Sequence, residues 1–227
     1  MPNIKLVKSS KIPNSFKTNL IKGKFDIDKD EISENFEISF EFPEKWNVGV
    51  IVGASGTGKS TIAKELFEID EFHYGNQAII DEIKTEKSVD EIIDLFNKVG
   101  FSSPPSWLKP YNVLSNGQKM RVDLANAILQ NKEIICFDEF TSVVDRNVAK
   151  IASYCVSKYI RKNDKKFVAV ACHYDILDWL EPDWILDTNT MSFIQGKMLP
   201  NIKDHQSTSI SDNAQNQNGI SLGNIII

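Results

Sequence analysis

The chain has 227 residues, 41% of them hydrophobic and 25% charged, with a formal net charge of -5. This length and composition are typical of one globular domain with a substantial core. The negative charge excludes a general electrostatic attraction to nucleic acid or anionic lipid, although it leaves room for a local basic patch.

Targeting signals and cysteine usage indicate the compartment. No segment approaches the ~18 consecutive apolar residues of a membrane span, and the basic N-terminus lacks the apolar core of a secretion signal. The three cysteines show no CxxC pairing and lie in or near apolar segments, so we expect buried thiols rather than disulfides or a zinc site. We therefore expect a soluble, cytoplasmic protein.

The region before residue 53 is predicted to be mostly β-structure. FKTNLIKGKFDI (16–27) is interpreted as a strand, and a polar break follows it. Apolar and polar residues then alternate in NFEISFEF, as in a half-buried antiparallel strand. VGVIV (48–52) is wholly apolar, which is typical of a strand buried in a parallel sheet.

Helices and strands are predicted to alternate in the rest of the chain. TIAKELFEI, SVDEIIDLFNKV with Ser88 as N-cap, residues 118–129 and RNVAKIASYCVSKYI show apolar positions at helical spacing. QAIIDEI, EIICFDE and KKFVAVACH are interpreted as strands. This order favours an α/β fold with a parallel sheet. Residues 201–227 are rich in Asn, Gln and Ser, and we expect a disordered polar tail there.

The segment GASGTGKS, which starts at residue 53, matches the phosphate-binding pattern G-x-x-x-x-G-K-[ST] between a strand and a helix. Glycines let consecutive backbone N–H groups surround an anion, and the start of the helix adds partial positive charge. Lysine then neutralises phosphate oxygens, and the serine hydroxyl joins a Mg²⁺ shell. The predicted ATP phosphate-binding residues are Gly53, Ser55, Gly56, Gly58, Lys59, Ser60 and Thr61.

Two further stretches carry groups suited to nucleotide chemistry. Asp138 ends the apolar strand EIICF, where its carboxylate can reach a phosphate-bound Mg²⁺ together with Ser60. Glu139 offers a second carboxylate, which can act as general base on the attacking water. Ser115 and Gly117 precede a helix and are interpreted as a second anion site; the alternative is that Ser115 is an ordinary N-cap.

Together with GASGTGKS, the stretches VLSNGQKMRVDLANAI, IICFDEFTS, SVVD and VAVACHYD resemble the ABC-type ATPases in order and spacing. By this resemblance the signature motif acts on the ATP of a partner protomer, so it implies a head-to-tail homodimer around two ATPs. It also implies that His173 contacts the γ-phosphate as a second catalytic residue, and that Asp145 of the D-loop meets the partner's P-loop. The signature residues are Leu114, Ser115, Asn116, Gly117 and Gln118.

The sequence also departs from the family. Only 54 positions separate Ser60 from Leu114, so the helical subdomain, expected at about 83–130, is much reduced. In transporter subunits this subdomain grips the membrane partner, so a membrane partner is not expected here. For the Q-loop, Gln77 and Asp81 are the candidates. For the residue that stacks on adenine, Phe25 is the candidate, with Phe16 as its rival.

GFSSPPSWLKPYNVLSNGQ and CHYDILDWLEPDWILD resemble compact, non-transporter ABC ATPases, many of them phage-encoded. These often carry a C-terminal acetyltransferase-like domain, which is not expected in the polar tail. The sequence thus predicts a P-loop NTPase of ABC type at 1–200, with an N-terminal antiparallel β-subdomain and the tail 201–227. Its partner is undefined, with DNA or an acetyltransferase-like chain as candidates.

The predicted function is a soluble, Mg²⁺-dependent ATP hydrolase that dimerises around ATP and drives or gates a partner. Three alternatives remain open from the sequence. They are the ATP-binding subunit of a membrane transporter, an ATP-gated clamp or accessory protein on DNA, and a P-loop kinase of small molecules.

Overall fold

The computed structural model describes residues 3–196, and their side chains except those of 3–10 and 32–37. The predicted tail at 201–227 lies outside the described residues. In the N-terminal part, strand β1 (Asn3–Lys11) pairs antiparallel with β2 (Glu31–Ser39) over nine residues, and helix α1 (Phe16–Lys24) connects them. This two-stranded sheet is separate from the main sheet.

Helix α1 corrects the prediction of a strand at 16–27. Ser15 caps the helix, because its hydroxyl accepts a hydrogen bond from the backbone N–H of Thr18 while the Thr18 hydroxyl accepts one from the N–H of Ser15. This reciprocal capping satisfies two donors that a strand would leave unpaired. These capping hydrogen bonds favour a helix at 16–24 more strongly than the pattern of apolar and polar residues favours a strand.

The main sheet has five strands in the order β4-β5-β3-β6-β7. The first four are parallel and β7 is antiparallel to β6. This arrangement confirms the predicted α/β class, although the sheet is mixed rather than wholly parallel. The strands are β3 (Val48–Val52), β4 (Ile134–Phe137), β5 (Lys166–Ala171), β6 (Trp184–Asp187) and β7 (Ser192–Gln195).

Helices cover both faces of this sheet. Ser88 is the N-cap of α4, as predicted, and a short 3-10 helix (Tyr111–Val113) precedes α6. The helices are α2 (Lys59–Leu66), α3 (Ile79–Glu82), α4 (Val89–Lys98), α5 (Pro104–Trp107), α6 (Asn116–Leu129), α7 (Arg146–Lys162) and α8 (Ile176–Leu180).

The helix α3 corrects the prediction of a strand for QAIIDEI. Ile79 is fully buried among the helices on one face of the sheet, and its N–H donates to the carbonyl of Lys109 at 2.9 Å. The Glu82 carboxylate accepts a hydrogen bond from the N–H of Gln77, which closes the turn before the helix. A short apolar run fits a buried strand or a buried helix equally well, and tertiary packing decided between them here.

The two faces of β3 belong to two cores. Val48, Val50 and Val52 pack with α4, α6, α7 and α8, whereas Ile51 packs with α2 and an aromatic group around Trp184. Gly49 lies on the aromatic side, where a Cβ would sit 2.0 Å from the Trp184 ring. The indole therefore lies directly on the backbone of the central strand, and Gly49 precedes the start of the glycine-rich loop by four residues.

Candidate nucleotide-binding site

The loop between β3 and α2 has the backbone shape of an anion cradle. Gly56 and Gly58 have φ values of 85° and 84°, in the left-handed region that residues with a Cβ rarely adopt. Gly58 is the N-cap of α2, and no side chain caps this helix start. Backbone N–H groups of the first helical turn are therefore available to a bound anion.

The loop is fastened to the turn that follows β6. The hydroxyls of Thr57 and Thr188 lie 2.6 Å apart, and the N–H of Ala54 donates to the side-chain oxygen of Asn189 at 2.9 Å. A Cβ on Gly53 would meet the Thr188 hydroxyl at 2.2 Å, so only glycine fits this close approach. Thr188 and Asn189 were missed by sequence reasoning, because 135 positions separate Asn189 from Ala54.

Lys59 and Ser60 begin α2 beside the end of β4. The ammonium group of Lys59 donates to the carbonyl of Ala54 at 2.6 Å, so it lies across the mouth of the loop. The Ser60 hydroxyl donates to the Asp138 carboxylate at 3.1 Å. A hydroxyl and a carboxylate in contact provide hard oxygen ligands of the kind that Mg²⁺ prefers.

Glu139 follows Asp138 in a left-handed conformation with φ of 55°. Its N–H donates to the Asp138 carboxylate at 2.8 Å, and the next N–H, of Phe140, donates to the carbonyl of Val170 on β5. These bonds hold a conformation that costs roughly 1–2 kcal/mol in a residue with a Cβ. In this conformation Glu139 is exposed, whereas Asp138 is half-buried.

One cavity of about 240 Å³ joins these groups. Its far wall is formed by the end of β5 and by Ser142. Of the predicted residues it is lined by Ser55, Gly56, Gly58, Lys59, Ser60, Thr61, Asp138 and Glu139. The structure thus brings both carboxylates and the predicted phosphate-binding residues other than Gly53 into one open site.

Other predicted residues lie outside this cavity. His173 is exposed and follows Cys172, which lines the wall. Phe25 lies just after α1 with 67% of its surface exposed. The Q-loop candidates Gln77 and Asp81 are exposed near α3, and neither lines the cavity.

The signature residues form a separate helix start, at α6. The Ser115 hydroxyl accepts a hydrogen bond from the backbone N–H of Gln118, and the Gln118 side-chain oxygen Oε1 accepts one from the N–H of Ser115. The Gln118 side-chain amide also donates to the hydroxyl of Ser106, which is 4% exposed in helix α5. Leu114 is buried, Asn116 is exposed, and none of the five signature residues lines the cavity of the P-loop.

Asp145 caps α7, because its side chain accepts a hydrogen bond from the N–H of Asn147 at 2.8 Å. The capping explanation and the predicted contact to a partner protomer are compatible, since Asp145 is exposed. The adjacent Arg146 forms an ion pair with Asp175 at the start of α8.

A second cavity of about 170 Å³ lies on the other side of Asp138. Ile69 forms an isolated parallel bridge with Cys136, which places Asp70 beside the end of β4, where it lines this cavity. Asp123 also lines it, and burial raises the pKa of its carboxyl group. The Tyr111 hydroxyl donates to Asp123 at 2.6 Å, and burial likewise raises the pKa of Cys136, to about 12.

The 240 Å³ cavity suits a metal ion that is bound partly by the protein and partly by the substrate. Within residues 3–196, no group of three or more His, Cys, Asp and Glu side chains is arranged to hold a metal by itself. Ser60 and Asp138 supply two oxygen ligands, and Mg²⁺ in nucleotide sites commonly completes its shell with phosphate oxygens and water.

Comparison with known proteins shows which proteins this chain resembles. The model of the family described as ABC transporter matches residues 67–142. The energy-coupling factor transporter ATP-binding protein EcfA1 of Staphylococcus aureus strain USA300 is 28% identical, covering 82% of this chain and 80% of the relative. The same protein of strain MRSA252 is 27% identical, covering 74% and 77%.

Solved structures agree on the fold. The dimeric structure of MJ0796, a bacterial ABC transporter cassette, superposes with a TM-score of 0.53 at 17% identity, covering 80% of this chain and 94% of that one. A bacterial Atm1-family ABC exporter with ATP bound gives a TM-score of 0.58 at 17% identity, covering 84% of this chain and 40% of that one.

The chain therefore has the fold of an ABC-type cassette, and residues 67–142 are similar to the ATPase domain of ABC transporters. In the part of the chain that the structure describes, no helix is long and apolar enough to cross a membrane.

Proposed function

We propose that this chain binds Mg-ATP in the 240 Å³ cavity, closes head-to-tail with a second copy around two ATPs, and hydrolyses them to drive or gate a partner. The observation that carries the proposal is the meeting of Lys59, Ser60, Asp138 and Glu139 in one cavity, while the signature motif of the same chain lies outside it. A complete site then requires a second copy.

Each residue has a chemical part in this proposal. The N–H groups of the loop and the Lys59 ammonium bind the β- and γ-phosphates, and Ser60 and Asp138 hold Mg²⁺ against them. Bound Mg²⁺ supplies neutralisation of the charge that builds up on the phosphate oxygens. Glu139 accepts a proton from the attacking water, and His173, two residues beyond β5, contacts the γ-phosphate.

The partner protomer supplies the signature motif. Ser115 is exposed at the N-terminus of a 14-residue helix, so its hydroxyl and the first N–H groups of α6 can meet a γ-phosphate from outside. Asp145 contacts the partner's P-loop in the same interface. Phe25 remains our candidate for stacking on adenine.

We also propose that the cassette is one of the compact, non-transporter group and works in the cytoplasm. The short connection between α2 and α6 supports this, since α4, with ten residues, is the longest helix in it. The helical subdomain at 83–130 therefore offers little surface for gripping a membrane partner. Its protein partner is undefined, with an acetyltransferase-like chain or a DNA-bound complex as candidates.

A second candidate function is the ATP-binding subunit of a membrane transporter. The names of the EcfA1 relatives favour it, because these are ATP-binding proteins of a transporter. Affinity purification of the full chain from detergent-solubilised membranes distinguishes the two candidate functions. A stoichiometric integral membrane protein in the eluate supports the transporter subunit. The absence of such a protein supports the free-standing cassette.

The test of the main proposal uses Glu139→Gln. This variant binds ATP without hydrolysing it and elutes as a dimer in gel filtration with ATP and Mg²⁺. Adding Ser115→Arg returns it to a monomer that still binds ATP, because the P-loop is untouched. A Glu139→Gln protein that saturates with ATP yet stays monomeric contradicts the composite site.

A further inference from the structure

The charge of the chain is unevenly distributed. Residues 1–25 contain six lysines and no acidic residue, whereas the remaining 202 residues contain 20 basic and 31 acidic residues. The N-terminal segment therefore has a formal charge of +6 and the remainder -11. The overall value of -5 conceals a basic segment, and a charge asymmetry of this kind indicates a specific anionic contact.

Helix α1 lies in this segment and none of its residues is buried. Phe16, Leu20 and Ile21 are 82%, 60% and 53% exposed, which is unusual for three large apolar side chains on nine residues. Lys17 and Lys24 are also exposed. At 100° per residue these five side chains occupy one half of the helix circumference, and we call them the α1 face.

The opposite half of α1 is fixed to its own hairpin. The Thr18 hydroxyl donates to the carbonyl of Pro13 at 2.6 Å. Lys22 is 21% exposed and donates to Asp30 at 2.6 Å, in the loop before β2. These bonds hold the helix through this half, and the side chains of the α1 face are left exposed.

We propose that the α1 face is a docking surface for an anionic lipid membrane, on which the helix lies parallel to the surface. Binding at a membrane surface grows with the apolar area that is buried and with the attraction of basic side chains to anionic lipid, and the α1 face offers both contributions. The aliphatic parts enter the boundary between headgroups and acyl chains, while the long lysine side chains reach the lipid phosphates.

Other occupants fit the same residues less well. Nucleic acid attracts lysines and stacks on aromatic rings, but it gives the aliphatic Leu20 and Ile21 no apolar surface to bury. The α1 face of a second copy carries the same positive charge, so the two repel each other. Residues 197–227 hold two lysines and two aspartates, which gives no charge complementary to the α1 face.

The test is sedimentation of the full-length chain with vesicles of phosphatidylcholine alone or mixed with phosphatidylglycerol. We expect binding to the anionic vesicles only, weakening as salt is raised past ~0.1 M, where the Debye length falls below about 10 Å. Lys17→Glu/Lys24→Glu reduces partitioning at least about tenfold. Leu20→Ser/Ile21→Ser reduces it by a similar factor although the charge is unchanged.

A matched control is Lys150→Glu/Lys158→Glu, which reverses two exposed lysines on α7 and should leave partitioning within about twofold. Equal binding of wild type to both kinds of vesicle overturns the proposal, and so does binding that either α1 variant leaves unchanged. Tight oligonucleotide binding that depends on the lysines but not on Leu20 and Ile21 assigns the surface to nucleic acid instead. The comparison of wild-type binding to the two kinds of vesicle needs no substitution, so it tests the proposal even if a variant folds poorly.

Discussion

Substitution of Thr188 by valine should loosen the P-loop from a distance. Thr188 is 5% exposed, its hydroxyl lies 2.6 Å from that of Thr57, and it also donates to the carbonyl of Val52 at 3.2 Å. Valine has nearly the same shape, so the change removes hydrogen bonds without opening a cavity.

The structure sets the size of this effect. The Val52 carbonyl keeps the bond from the Thr188 N–H at 2.8 Å, and the Thr57 hydroxyl keeps the carbonyl of Ala54 at 2.9 Å. No buried partner is therefore left unpaired, and the loss is one to two neutral bonds, about 1–2 kcal/mol of unfolding free energy. Because a bound nucleotide needs the loop in this shape, about 1 kcal/mol of lost preorganisation weakens ATP affinity about fivefold.

The assay is a double-mutant cycle of Thr57→Val and Thr188→Val, measured by urea unfolding and by titration with a fluorescent ATP analogue. We expect a coupling free energy of about 0.5–1.5 kcal/mol. Thr190→Val is the control, since Thr190 is exposed in the same turn and its hydroxyl lies 2.7 Å from that of Ser192 at the start of β7. Additivity within about 0.3 kcal/mol, or an equal loss of affinity in the control, refutes the role of Thr188.

Three further predictions concern the site and the core. Lys59→Ala should abolish ATP binding in the same titration, because the cavity loses the ammonium group at its mouth. Asp123→Asn should raise the free energy of unfolding at neutral pH, since burial raises the pKa of the Asp123 carboxyl group above 3.8 and the asparagine can still accept from Tyr111. Gly49→Ala should destabilise the fold by about 1–3 kcal/mol or more, because its Cβ overlaps the Trp184 ring.

The pH dependence of Asp123→Asn follows from the direction of the shift. With the folded-state pKa raised, the folded wild type binds the proton more tightly than the unfolded chain, so its stability falls as pH rises through that range. The advantage of the variant therefore vanishes at low pH and is full above the raised pKa. An advantage that grows on acidification contradicts this assignment.

The matched control for Gly49 is Gly23→Ala on α1, where no atom lies within 4 Å of the added Cβ and alanine should stabilise by about 0.5–1 kcal/mol. If Gly49→Ala and Gly23→Ala changed the free energy of unfolding equally, the Trp184 ring would have to move to make room for the methyl group at position 49. For Lys59→Ala, retained ATP affinity would mean that the phosphates bind elsewhere.

Elements whose signals are local could be predicted from the amino-acid sequence alone. The GASGTGKS pattern predicts the shape of its loop, because glycines followed by a helix are the physical requirements of an anion cradle. Ser88 and Ser115 are N-caps of the helices that they precede. The apolar runs of β3, β4 and β5 needed no more than composition to be recognised as buried strands.

Contacts between residues that are distant in the chain could not be predicted in this way, because they depend on the fold. Thr188 fastens to Thr57 across 131 positions, and Asp70 reaches the end of β4 through a single bridge at Ile69. Neither contact has a local pattern, since each depends on how strands are ordered in the sheet. The helices at α1 and α3 were mispredicted as strands for a related reason: short apolar stretches suit either form, and capping bonds and neighbouring layers select one.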